Sequence, residues 1–192
     1  MNGTILQSIR DSIAVKQAIL DDADFHTKTA QAAQAMTTTF RAGGKVLFCG
    51  NGGSAADAQH IAAELSGRFY RDRPPLYAEA LHVNSSFVTA VANDYGYEDV
   101  FARMVEAAGR PGDILVAFST SGNSPNILKA IRMGREKGMA IIGFTGATGG
   151  KMADLCDILL NVPSTDTPRI QESHILIGHI LCQIVEQQIF GQ

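Results

Sequence analysis

The chain has 192 residues, enough for one domain with a sizeable core, and its 45% hydrophobic and 18% charged residues exclude a disordered or fibrous chain. A net charge of −3 with no basic stripe argues against a dedicated nucleic-acid binder. No apolar run approaches the roughly 20 residues that span a membrane, and the first dozen residues lack the apolar centre of a signal peptide, so the expected setting is the cytoplasm with no membrane partner. Cys49, Cys156 and Cys182 are few, odd in number and set in apolar segments, which reads as buried, reduced thiols.

Residues 4–40 contain neither proline nor glycine and carry helical apolar stripes, Ile5, Ile9, Ile13, Val15 and Ile19, then Ala30, Ala33, Met36 and Phe40. This predicts two helices broken near Asp21–Asp24, the second ended by Gly43-Gly44. The pattern then alternates. Strands are predicted at 45–49, 78–83, 113–119, 140–145 and 157–162. Helices are predicted at 54–66, 86–91 and 98–108 around an Asn93-Asp94 turn, at 124–137, briefly at 150–155, and over 168–189. Near-continuous apolar strands between helices imply an α/β three-layer sandwich with a five-stranded parallel sheet, open and doubly wound, behind the two N-terminal helices. Ligands of such sheets bind outside the strand carboxyl ends, near the switch in strand order.

Two turns fall where that rule looks. Gly50-Asn51-Gly52-Gly53-Ser54 lets backbone approach a ligand closely, and Ser54 with Asp57 fits a capping pattern. Gly50 to Ala55 also fits the dinucleotide variant G-x-G-x-x-A, but the ribose-binding acid expected about 20 residues on has only Glu79, a little late. The second turn, Ser119-Thr120-Ser121-Gly122-Asn123-Ser124-Pro125, supplies four hydroxyls ahead of a helix N-terminus. That combination makes a phosphate site without a lysine.

His60 and Glu64 stand at i, i+4 on one helical face, just beyond the first turn. On the final helix, Gln171 and His179 are eight residues apart, about 12 Å along the axis, so they converge on one centre only by reaching toward each other or with another subunit's help. His179 lies in an apolar run, where a polar ring needs a partner. Imidazole, carboxylate and amide oxygen would suit zinc or a similar divalent ion. His26 and His82 read as packing or surface groups, and His174 as a surface group or one that supports the ligands.

The segments CGNGGSAADAQHIAAE (49–64), Asn93-Asp94, STSGNS (119–124) and RIQESHILIGH (169–179) together resemble the sedoheptulose-7-phosphate isomerases, or phosphoheptose isomerases, of the sugar-isomerase (SIS) domain group, and the resemblance runs over essentially the whole chain. It implies a single SIS domain over 1–192, flavodoxin-like or Rossmann-like, with 1–42 used in oligomer packing and 43–192 as the α/β core. It implies a homotetramer with sites at subunit interfaces. The implied reaction converts sedoheptulose 7-phosphate to D-glycero-D-manno-heptose 7-phosphate, the first step toward nucleotide-activated heptose for lipopolysaccharide and related glycans. Carried over by position, Asn51, Gly52 and Gly53 would touch the sugar, and Asn93 and Asp94 would bind its hydroxyls. Ser119, Thr120, Ser121 and Ser124 would hold the phosphate, and Arg169 would take part in binding the substrate. Glu64 would be the base and His179 the acid, while His60, Glu64, Gln171 and His179 match a zinc set, one ion per subunit. Some SIS proteins are not enzymes: one is a scaffold for the replication initiator DnaA, and it lacks counterparts of Glu64 and His179. Other SIS isomerases share the serine-rich turn but not the four-residue set.

Overall fold

A computed structural model describes residues 2–191. The two N-terminal helices, α1 (Asn2–Leu20) and α2 (Ala23–Arg41), part at the expected place because Asp22 caps α2, its carboxylate accepting from the Phe25 N–H at 3.0 Å. Then follow β1 (Val46–Cys49), α3 (Gly53–Ser66), β2 (Ala78–Ala80), α4 (Ser85–Asp94), α5 (Val100–Ala108), β3 (Ile114–Phe118), α6 (Pro125–Glu136), β4 (Ala140–Thr145), β5 (Ile158–Asn161) and α7 (Thr167–Phe190). All five strands are parallel, in the order β2-β1-β3-β4-β5.

The three-layer expectation holds, and strand alternation explains it. Val46 and Phe48 of β1, with Ile114, Val116 and Phe118 of β3, pack on one side against α2, α3 and α7. Leu47 and Cys49, with Leu115 and Ala117, face α4, α5 and α6 on the other. A central strand is therefore buried on both faces, as the continuous apolar runs required. Cys49 and Cys182 are buried and Cys156 half-buried, all as free thiols.

Four local readings change. Helix α3 is opened by Gly52, not Ser54: Gly52 sits at φ +55°, ψ −120° with no side-chain cap, and Ser54 is buried inside the helix. Asn93 and Asp94 are not a turn but the last residues of α4; the turn follows as a short 3-10 helix, Tyr97–Asp99. β2 is three residues long, half the expected length, and the helix expected at 150–155 is a 3-10 turn, Gly150–Met152. No described helix is long and apolar enough to cross a membrane.

Candidate functional site

The strand order reverses between β1 and β3, so the crevice of this sheet lies between their carboxyl ends. Both ligand turns open there, and two amides tie them together. Asn51 Nδ2 donates to Asn126 Oδ1 at 2.9 Å, and Asn126 Nδ2 donates back to Asn51 Oδ1 at 2.8 Å. The Tyr97 hydroxyl adds a third bond to Asn51 Oδ1 at 3.1 Å. Asn126 is 3% exposed, and its Oδ1 also accepts from the Ile127 N–H at 3.0 Å. The Asn51 side chain, expected to touch sugar, is thus committed to the neighbouring turn, and this turn offers backbone. Gly52 supplies the left-handed φ, and the space beside it is open. Sequence reasoning missed Asn126 and Tyr97. Asn93 and Asp94 are exposed and bonded to each other, Asn93 Nδ2 to Asp94 Oδ1 at 2.8 Å, three residues before Tyr97.

The hydroxyls of the second turn divide their roles. Ser119 Oγ and Ser124 Oγ lie 3.0 Å apart in a shared hydrogen bond. Ser124 occupies the N-cap position before Pro125, as expected, yet its hydroxyl makes no capping bond to α6. Ser121 is exposed and its Oγ accepts from the Asn123 N–H at 3.2 Å; Thr120 is half-buried. A helix start without a side-chain cap keeps backbone N–H groups for an anion.

Helices α3 and α7 run side by side in the same direction. A Cβ on Gly53 would lie 2.5 Å from Gln171 Nε2, and one on Gly178 would lie 2.5 Å from Ile61 Cδ1. This register brings His179 beside His60. Their Nε2 atoms are 3.0 Å apart, and Glu64 Oε1 is 3.3 Å from His60 Nε2. His60 Nε2 therefore faces both a second ring nitrogen and a carboxylate oxygen. The ligand atoms of His60, Glu64 and His179 all lie within 4.8 Å of one another. Two nitrogens on a tetrahedral zinc at 2.0–2.1 Å would be about 3.3 Å apart, so the donor set and spacing fit such an ion. The Phe69 ring stacks on His179, centroids 5.6 Å apart and planes inclined by 18°.

The same register separates what the spacing left open. Gln171 lies against Gly53, at the turn, about 12 Å along α7 from His179. Gly53 and Glu64 are eleven residues apart on α3, about 16 Å along its axis. Within one chain the turn cradle and the histidine–carboxylate group are two places.

Other candidates are placed elsewhere. The Arg169 guanidinium bonds the Ser8 carbonyl of α1 and pairs with Glu172 at 2.7 Å, so it clasps α7 to α1. His174 is a core residue, not a surface one: it is fully buried between Phe118 and Phe144, and its Nε2 bonds the Thr145 carbonyl at 3.2 Å. Burial pushes its pKa down to about 4. Asp57, one turn before His60, has a buried Oδ2 with no hydrogen-bond partner, and burial pushes its carboxyl up to about 6. The Cys182 thiol, near Glu64, is pushed up to about 12 by burial, so it is inert. His26 is exposed and His82 half-buried, as their packing reading required.

Comparison with known proteins agrees with this fold. The SIS domain family matches residues 13–146. The phosphoheptose isomerase of Rhodospirillum rubrum is 61% identical over 160 residues, covering 83% of this chain and 85% of that protein. The phosphoheptose isomerase of Aneurinibacillus thermoaerophilus is 54% identical over 190 residues, covering 99% and 96%. The solved phosphoheptose isomerase of Neisseria gonorrhoeae superposes with a TM-score of 0.91 at 43% identity, covering 97% of this chain and 98% of that one. The chain belongs to the phosphoheptose isomerase family of SIS-domain enzymes.

Proposed function

We propose that this enzyme interconverts sedoheptulose 7-phosphate and D-glycero-D-manno-heptose 7-phosphate through an enediol or enediolate, at the entry to nucleotide-activated heptose synthesis. The observation that carries this reading is the convergence of His60, Glu64 and His179 in a chain whose relatives are sugar-phosphate isomerases. Moving a hydrogen from C1 to C2 requires a base for the carbon acid and an acid for the oxygens. Glu64, whose side chain is 23% exposed, takes the C1 proton and returns it to C2. His179, held at hydrogen-bond distance from His60, passes a proton between O2 and O1. His60, Glu64 and His179 would hold a zinc ion, which when bound supplies Lewis acidity to the substrate oxygens. Ser119, Thr120, Ser121 and Ser124 bind the phosphate with the N–H groups of α6. The backbone of Asn51, Gly52 and Gly53, with Gln171 beside it and Asn93 and Asp94 at the end of α4, receives the sugar.

The 16 Å between turn and proton-transfer group supports a site completed by another copy of the chain. So does α1. Ile5, Leu6, Ile9 and Ile13 are each more than half exposed, and no residue of this helix is buried. Beside α1 an apolar groove of about 350 Å³ runs between Leu20, Phe25, Leu176 and Ile180. A homotetramer would cover both. The test is purified protein incubated with sedoheptulose 7-phosphate, with and without chelator, while aldoheptose formation is followed. Turnover is expected. None in any metal condition refutes the reaction, and turnover that survives complete metal removal takes zinc out of it.

A further inference from the structure

A buried ion pair that neither the cradle nor the proton-transfer group contains joins the loop between α3 and β2 to α7. Arg73 and Glu186 have side chains 2% and 3% exposed, and Arg73 Nε meets Glu186 Oε2 at 3.1 Å. Each is saturated. Arg73 donates to the carbonyls of Glu64 (2.8 Å), Leu65 (2.8 Å) and Gly67 (3.1 Å), closing the end of α3 where helical carbonyls lack partners. Glu186 accepts the backbone N–H groups of Phe69 (3.3 Å), Tyr70 (3.1 Å) and Arg71 (2.9 Å). The pair therefore ties three objects to one another: the end of α3 at Glu64, the loop, and α7 two turns beyond His179.

The loop backbone so held carries Phe69, whose ring lies on the His179 imidazole. Among the described residues, His179 makes one hydrogen bond through its ring, to His60. Its plane needs a second restraint, which for a ligand or proton-transfer histidine is ordinarily a hydrogen bond to the other nitrogen. Here a stacked ring takes that place. A buried ion pair contributes little net stability compared with apolar residues of the same volume. What it adds is orientation, through the fixed fork of the guanidinium and three converging N–H donors.

We infer that Arg73 and Glu186 are positioning residues for the Glu64–His179 pair, acting through Phe69, which fixes the plane of the His179 ring. The inference rests on the isomerase reading, and its test separates the two. Wild type, Phe69→Leu, Phe69→Tyr and Arg73→Lys are compared by steady-state kinetics on sedoheptulose 7-phosphate and by the ring-proton NMR resonances of His179. Phe69→Leu is expected to lower kcat by about 10-fold or more with KM unchanged, and to remove the ring-current shift from His179. Phe69→Tyr keeps the ring and should restore both. Arg73→Lys should follow Phe69→Leu in both readouts. Wild-type kcat in Phe69→Leu, or equal losses in the leucine and tyrosine variants, would overturn the inference. So would an Arg73→Lys enzyme with wild-type kcat and unmoved His179 resonances. If Arg73→Lys does not fold, Glu186→Gln, which keeps an acceptor for the loop, takes its place under the same criteria. If the wild type shows no turnover the isomerase reading fails, and the resonances alone decide: His179 signals unmoved in Phe69→Leu and in the pair variant reject the positioning role.

Discussion

His174 should make the fold acid-sensitive, and the size of the effect can be worked from its surroundings. The ring is fully buried between Phe118 and Phe144, and burial lowers its pKa from the ordinary 6.5 to about 4. Between these values the unfolded chain binds a proton that the folded chain refuses. Stability from this group is whole above pH 6.5 and is lost as pH falls toward 4. Two and a half pH units at 1.36 kcal/mol per unit come to about 3 kcal/mol, a large part of a typical domain's margin. Asp57, pushed up to about 6 by burial, works in the opposite sense, favouring the fold as pH falls below 6. A difference measurement is therefore needed. His174→Leu removes the titration, and the Thr145 carbonyl keeps its strand partner, the Val162 N–H at 2.9 Å. Urea unfolding of both proteins from pH 7.5 to 4 should show the wild type's advantage over the variant shrinking by about 3 kcal/mol across the window. Parallel stability–pH curves would refute the argument.

Glu64→Gln and His179→Gln should fold normally by circular dichroism and lose about 10²–10⁴-fold in kcat; near-wild-type rates in either would remove that residue from the proton transfer. Ser121→Ala should raise KM with little change in kcat, and an unchanged KM counts against the serine-rich turn as the phosphate site. In a double-mutant cycle, Asn51→Ala and Asn126→Ala should couple by about 1–2 kcal/mol of unfolding free energy, since each removes both amide bonds. Strict additivity would mean the pair is incidental.

The sheet and its helices were legible because central strands buried on both faces leave uninterrupted apolar runs, and because an aspartate marked the start of α2. The misreadings share a cause. Ser54-x-x-Asp57 looked like a capping pattern, but Gly52 reaches a conformation that begins the helix two residues earlier. Asn93-Asp94 looked like a turn because both are polar, although polarity is equally what an exposed helix end requires. His60 and Glu64 were found by their spacing on one helix, and His179 by its apolar setting. Asn126 and the Arg73–Glu186 pair had no such signal: their partners lie 75 and 113 residues away, and only the fold brings them together. Arg169 illustrates the converse. It stands beside Gln171 in the sequence, yet on a helix its side chain reaches a different surface, that of α1.

The length of α3 between Gly53 and Glu64 bears on how the enzyme can be repaired. If cradle and proton-transfer group of each working site come from different copies, two defective chains can mend each other. Ser121→Ala leaves a chain with a sound histidine–carboxylate group, and Glu64→Gln leaves one with a sound cradle. Unfolded and refolded together, and assayed at substrate well below the raised KM of Ser121→Ala, the two impaired preparations should regain turnover in mixed assemblies, in roughly a quarter of the sites at equal input. Refolded apart, neither should. Extreme dilution should show the same dependence, with specific activity falling as assemblies come apart while each chain stays folded.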